Sequence, residues 1–312
     1  NLRAGWPEKV APWLALAAQH AHTFYGLLAT TLLGDRPPFD WTDPAMNDAA
    51  FESLASTPRG HRALALLEIG EADRAKEELR ALVATRSPEI GLHVIAFAAQ
   101  NDMPALALSA GAMLRQVDGI DVHAALYPVP PWEPDRGFTV DRALVYGFMR
   151  QESQFKVHAK SSAGARGLMQ LMPETAGDMA KRRFGRSDRN ELYDPELNIQ
   201  LGQKYLRFLL QHENVGGDLL LLAAAYNGGP GNLGRWQRHA RRVGVSDPLM
   251  FIEMIPARET REFVERVAAN FWMYSLRMGQ PTPTLDALAA GDRPIYRALG
   301  TTPQSASNDP AN

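Results

Sequence analysis

The sequence predicts a mainly α-helical protein in which a region of stacked helical hairpins, a superhelix, precedes a second helical unit. Three observations predict it. Apolar residues recur at three and four positions over most of the chain, strand-like alternation is hardly visible, and glycine, proline and aspartate stand where the periodic segments start and stop.

Taken in order, apolar periodicity runs from Val10 to Leu33 and stops at Gly34, as in a helix with a left-handed end. His20 and His22 read as ordinary residues of that helix. Ala63, Leu64, Leu66, Leu67 and Ile69 lead to Gly70, and the stripe resumes with Ala75, Leu79 and Leu82, which predicts two helices joined by a tight turn. Segments 91–100 and 104–117 repeat the pattern, although no fixed period identifies a repeat family. Tyr127-Pro-Val-Pro-Pro-Trp-Glu-Pro134 cannot be helical through its prolines, so a domain boundary falls between Ala125 and Gly137. Helix signals resume at Asp141 and continue to Met278, with Asp194-Pro195 and Asp247-Pro248 each reading as an N-cap followed by proline in the first turn. The expected division is a helical-repeat region over 1–130, a second domain over 131–285 and an extension over 286–312, polar and disordered from Thr301.

Composition narrows the function. Lysine and arginine number 33 against 35 aspartates and glutamates, a formal charge of -2, which gives no footing for a protein held to nucleic acid by phosphate neutralisation. The absence of cysteine excludes disulfides, cysteine-ligated zinc and thiol catalysis, and fits either a reducing or an oxidising compartment. No apolar run approaches the ~18 residues that span a bilayer. The chain opens at Asn1 with neither methionine nor a charged-then-apolar leader, so the expectation is a processed or truncated product whose export signal has been removed. Eight scattered histidines form no HExxH or close cluster, so neither metal nor cofactor is expected.

Chemistry enters with the helix that opens the second unit. Leu144, Val145, Phe148 and Met149 form its apolar stripe, and the next position on that stripe is Glu152. One reading has the helix ending there with Glu152 solvated or paired to a cation such as Arg150. The other buries Glu152 beside Phe148 and Phe155, which favours the neutral acid and raises its pKa by about one or two units, as a general acid requires.

Four segments then occur in order: Arg-Gln-Glu-Ser at 150–153; Ser161 with Gly164-Ala-Arg-Gly-Leu-Met-Gln-Leu-Met-Pro173; Ala225-Tyr-Asn-Gly-Gly-Pro-Gly231; and Phe251-Ile-Glu-Met-Ile-Pro256 followed by Glu259-Thr-Arg261 and Phe263-Val264. This pattern resembles the soluble lytic transglycosylases, glycoside hydrolase family 23, and the last segment resembles their large soluble branch. The resemblance implies a lysozyme-like catalytic domain that cleaves peptidoglycan between N-acetylmuramic acid and N-acetylglucosamine. Glu152 would protonate the glycosidic oxygen and then act as base on the muramic acid C6 hydroxyl, giving a 1,6-anhydro end. The substrate's acetamido oxygen would assist in place of the second carboxylate of most glycosidases. The same resemblance assigns Ser161 and Gln170 to hydrogen bonding near the muramic acid, Met172 to an apolar sugar contact, Tyr226 and Asn227 to the substrate site, and Glu253 to the glycan groove.

Each of these has a plain structural reading as well. Serine and glutamine in a glycine-rich connection serve turns, Met169 and Met172 serve packing, Tyr226 can be a buried tyrosine with a satisfied hydroxyl, and Glu253 an ordinary surface charge. Gly164, Gly167, Gly228, Gly229 and Gly231 read as backbone devices that supply positive φ or close approach, not as a phosphate loop. Gly228 departs from the alanine more common in the family. Lys181-Arg182-Arg183 with Arg186, and the arginines from Arg238 to Arg242, are either solvated faces or attractors of acidic stem peptides. His22-Thr-Phe-Tyr-Gly-Leu-Leu-Ala29 resembles the end of the superhelix that precedes the catalytic unit in the large soluble members, which would guide glycan strands or bind envelope proteins. The resemblance places the protein in the periplasm or cell envelope, without nucleic acid or a membrane span. Its competitors are a hydrolytic muramidase and a non-catalytic, peptidoglycan-binding scaffold.

Overall fold

The computed structural model describes residues 7–85 and 87–299. The tail from Thr301 therefore lies outside the described residues. The chain forms two compact units that do not follow sequence order: one takes in the segment through Pro37, residues 133–151 and the chain from Val157 on, and the other Pro38–Trp132 with Glu152–Lys156. The N-terminal segment thus groups with the C-terminal unit, whereas the sequence reading assigned it to the hairpins.

Helices α1 (Val10–Ala18) and α2 (Phe24–Leu32) replace the single helix expected from Val10 to Leu33. Thr23 makes the break. Its hydroxyl donates to the His20 carbonyl at 2.9 Å and accepts from Gly26 N at 3.1 Å, capping α2 and drawing the chain into a turn. His20 and His22 lie in that turn rather than in a helix.

The hairpin unit holds α3 (Asp48–Ala55), α4 (Pro58–Glu68), α5 (Ala72–Val83), α6 (Pro88–Gln100), α7 (Pro104–Asp118) and α8 (His123–Leu126). Helices α4 and α5 pack as one antiparallel pair and α6 and α7 as another. Asn47, Thr57 and Ser87 each accept a backbone N–H of the helix they precede, and proline fills the first turn of α4, α6 and α7, where its missing donor costs nothing. Leu54, Leu79, Val94, Ile95, Leu106 and Leu114 supply the core.

The second unit continues with α9 (Arg142–Glu152) up to its last residue, and with α10 (Pro173–Ala180), α11 (Pro195–Gln211), α12 (Leu219–Gly228), α13 (Pro230–Arg242), α14 (Pro248–Glu253), α15 (Arg258–Arg277) and α16 (Pro283–Ala289). Asp194 and Asp247 cap α11 and α14 as the sequence predicts, and Asp218 does the same for α12. The axis of this unit is α15, whose Val267, Phe271, Trp272 and Tyr274 are buried. Helices α12 and α2 pack along it. Phe24 of α2 stacks on Trp272 at 5.3 Å, and the Trp272 indole donates to Thr284 of α16 at 2.9 Å. Residues 294–299 are pinned to the unit: Leu219 N donates to Pro294 O, Tyr296 N to Gly217 O, and Leu299 N to the Asp141 carboxylate.

Among the described residues only isolated bridges represent β structure, so the protein is mainly α as predicted. No described helix is long and apolar enough to cross a membrane.

Candidate functional site

Helix α9 carries Glu152 as its last residue. Leu144, Val145, Phe148 and Met149 are fully buried, whereas Glu152, next on that stripe, is half-buried. The helix is fixed to α15 through Asn270, whose amide donates to Gly147 O at 3.2 Å and accepts from Arg150 Nη1 at 2.8 Å. A carboxylate on the final turn of so constrained a helix has little positional freedom, which suits an acid that must meet one oxygen of a substrate.

The segment 159–172 forms a tight loop. Arg166 and Leu171 exchange both backbone hydrogen bonds, Ser161 N donates to Ala165 O, and Gly167 N donates to Ala159 O. Ser161 Oγ accepts from Ala165 N at 3.0 Å, and the Gln170 amide donates to Ala159 O and Gly167 O at 3.0 and 2.9 Å. These contacts are the turn-bracing ones of the plain reading. They leave the Ser161 hydroxyl hydrogen and the Gln170 carbonyl oxygen outside those bonds. Met172 caps α10 with its side chain 41% exposed, an apolar surface held beside the loop, while Met169 is fully buried.

Asn198, which the sequence reading did not single out, holds this loop from below. Fully buried on α11, it donates to Arg166 O at 3.0 Å and Leu192 O at 2.8 Å, and accepts from Met169 N at 2.8 Å. Gly167 is required just there: its φ is +79°, and a Cβ would lie 2.2 Å from Leu192 O and 2.3 Å from the Asn198 amide. Of the other glycines read as backbone devices, Gly164 and Gly229 have positive φ, while Gly228 and Gly231 do not. Gly228 serves close approach to a side chain instead, since a Cβ would meet the Trp236 ring at 2.6 Å. That ring accounts for glycine at this position.

Tyr226, on the last turn of α12, donates its hydroxyl to Met169 O at 2.7 Å and so ties α12 to the loop. Its ring lies 4.6 Å from Phe148, one turn before Glu152 on α9, and stacks at 10° over Phe263 of α15. Asn227 Oδ1 accepts from the buried Thr260 hydroxyl at 2.6 Å. The Glu259-to-Val264 segment therefore supports the Tyr-Asn pair from behind. Glu253 ends the short helix α14 with an exposed side chain and accepts a hydrogen bond from Tyr25 of α2.

The basic groups divide. Arg182 pairs with Glu191 and lies over the Phe184 ring, in a cleft of 780 Å³ that also exposes Glu174 and Asp178. Arg235, Arg238, Arg241 and Arg242 alone line a 600 Å³ concavity on α13.

Comparison with known proteins finds similarities over part of the chain. Residues 133–246 match the family model described as the transglycosylase SLT domain. The chain is 36% identical over 159 residues to the soluble lytic murein transglycosylase of Escherichia coli K12, covering 50% of this chain and 24% of that one. It is 38% identical over 105 residues to the membrane-bound lytic murein transglycosylase C of Edwardsiella ictaluri, covering 31% and 29%. The chain thus spans about a quarter of the length of these curated relatives. The crystal structure of the 70 kDa soluble lytic transglycosylase from Escherichia coli superimposes with a TM-score of 0.74 at 27% identity, over 89% of this chain and 44% of that one. A complex of the 70 kDa enzyme with bulgecin A gives 0.75 at 25% identity, over 96% and 46%.

Proposed function

We propose that this chain, whose residues 133–246 match the transglycosylase SLT domain model, is a peptidoglycan lytic transglycosylase with Glu152 as its acid and base. The observation that carries the reading is that one matched domain contains Glu152 at the end of a buried helix and, in family order, Ser161, Gln170, Met172, Tyr226 and Asn227. We take this domain to extend to about residue 285, preceded by a helical-repeat region and followed by a C-terminal extension.

In this mechanism the neutral Glu152 carboxyl gives its proton to the oxygen linking N-acetylmuramic acid to N-acetylglucosamine, and the bond from muramic C1 to that oxygen breaks. The acetamido oxygen of the muramic acid supports the electron-poor C1. The Glu152 carboxylate then takes the proton of the C6 hydroxyl as O6 bonds to C1, which restores the acid and leaves a 1,6-anhydro ring. No water is consumed. Ser161 and Gln170 bind polar groups of the muramic acid from the braced loop, Met172 offers an apolar sugar contact, and Tyr226 with Asn227 lines the substrate site. Glu253 binds or orients the glycan without transferring a proton. No cofactor enters this scheme. The substrate places the protein in the periplasm or envelope, and the hairpin helices are the surface for glycan guidance or for envelope protein partners.

The test is digestion of purified peptidoglycan by the wild type and by Glu152→Gln, with mass spectrometry of the released muropeptides. The expected products carry anhydro-muramic ends, one water lighter than hydrolytic ones, and vanish with the variant. Reducing ends would identify a muramidase, and no release from the wild type would identify a scaffold.

A further inference from the structure

Glu253 and Tyr25 lie far apart in sequence yet meet through a hydrogen bond of 2.5 Å, the Tyr25 hydroxyl donating to Glu253 Oε1. Tyr25 is itself well held. It stands in the first turn of α2 beside Phe24, whose ring it meets edge-on at 5.0 Å and which is stacked on Trp272. Both partners reach solvent, Tyr25 being 38% exposed and Glu253 exposed. A ligand can therefore meet them.

We infer that Tyr25 is a positioning residue for Glu253, holding one oxygen of its carboxylate so that the other is presented to substrate. The inference rests on the reading of Glu253 as a residue of the glycan groove. An exposed glutamate at the end of a six-residue helix would otherwise sample several rotamers, and ordering it would weaken binding. The hydrogen bond from Tyr25 bears that ordering cost during folding. A carboxylate accepts and cannot donate, so the group recognised is a donor on the glycan, a sugar hydroxyl or an acetamide N–H. Burial, and then the hydrogen bond to Glu253, push the Tyr25 hydroxyl well above the usual range, so it stays a donor through neutral and mildly alkaline pH. The Glu265 carboxyl close by is raised by burial and by the Glu253 charge, while Arg261 and Arg266 partly offset this.

Tyr25→Phe removes only the donor. With peptidoglycan glycan strands as substrate, the expected result is a KM up to about tenfold higher and a kcat within about twofold, the scale of ordering one flexible side chain on binding. Glu253→Ala should raise KM at least as much, and adding Tyr25→Phe to it should change KM by less than about twofold, because the hydroxyl acts through the carboxylate. An unchanged KM in Tyr25→Phe, or a double variant whose losses multiply, overturns the inference. Thermal melts accompany each variant. If Tyr25→Phe fails to fold, Glu253→Gln decides, since it keeps an acceptor for Tyr25 but turns an amide NH2 toward the donor on the glycan: a rise in KM about equal to that of Glu253→Ala is expected, and KM within about threefold of wild type overturns the inference. Wild type and Glu152→Gln run in the same assay. An inactive wild type sinks the functional reading and this inference with it, whereas an active wild type with Tyr25→Phe unaltered sinks this inference alone.

Discussion

Truncating Asn198 to alanine should be among the most damaging single changes outside the candidate catalytic residues. Its side chain serves three backbone groups of the loop, at Arg166, Leu192 and Met169. The Arg166 carbonyl keeps a second partner, since Leu171 N also donates to it at 3.1 Å. The Met169 N–H and the Leu192 carbonyl lose theirs in a place without solvent. Each orphaned group costs about 1 to 3 kcal/mol, and the cavity adds about 1, so Asn198→Ala should destabilise by roughly 3 to 7 kcal/mol. At about 2 to 4 °C per kcal/mol for a unit of this size, the melting temperature should fall by roughly 6 to 28 °C. Asn198→Asp should be no milder, because it retains the acceptor for Met169 N but turns an oxygen toward two carbonyls. Thermal unfolding followed by circular dichroism at 222 nm measures the first effect. Turnover of peptidoglycan below the new melting temperature measures the second, expected at about a tenfold loss in kcat/KM, since the loop bearing Gln170 and Met172 loses its support. A melting temperature within 2 °C of wild type in Asn198→Ala would refute this account of the loop.

Further outcomes follow from other sites. Glu152→Gln should bind glycan as wild type does while losing at least about a hundredfold in turnover, measured by a pull-down on sacculi beside the digestion assay. Gly228→Ala should cost about 1 to 3 kcal/mol through its clash with Trp236, and Trp236→Leu should relieve part of that penalty when combined with it, as denaturant melts of the cycle would show. Burial pushes the Tyr146 hydroxyl up to about 12 from 10.0. The folded state therefore holds this proton more tightly than the unfolded state, and stability should fall as pH rises from 10 through 12. Tyr146→Phe should flatten that fall by about 2 to 3 kcal/mol in pH-dependent melts, and an unchanged slope would count against the shift. Replacing Arg238, Arg241 and Arg242 by glutamine should weaken retention on sacculi at low salt and leave retention at high salt unchanged, measured by co-sedimentation.

What the sequence made legible was local. Proline at helix starts, aspartate caps at 194 and 247, and the glycine-ended stripe before Gly70 are signals confined to a few residues, and the helices form where they point. The stripe through Glu152 was legible for the same reason. The break before α2 was missed because Gln19 to Thr23 contain neither glycine nor proline, and Thr23 sits inside an otherwise continuous apolar periodicity. Longer-range partners left no local trace. Asn198 falls in a helix where an asparagine is unremarkable, and only the fold brings it under Met169 and Arg166. Tyr25 finds Glu253 by the same route, and the grouping of α1 and α2 with α15 depends on contacts separated by most of the chain.

That last grouping gives the protein a particular order of folding as the chain is delivered. The stacking partner of Phe24 is Trp272, synthesised about 250 residues later, which at 5 to 20 residues per second is a wait of roughly 12 to 50 s. Helices α3 to α8, whose core is wholly contained between Leu54 and Ala125, meet all their partners long before then. The hairpin unit is thus positioned to fold while α1 and α2 still lack their partners, and the unit that holds α2 closes only once α15 and α16 emerge. Moving α1 and α2 by circular permutation to follow α16 would shorten the wait and should speed closure of this unit.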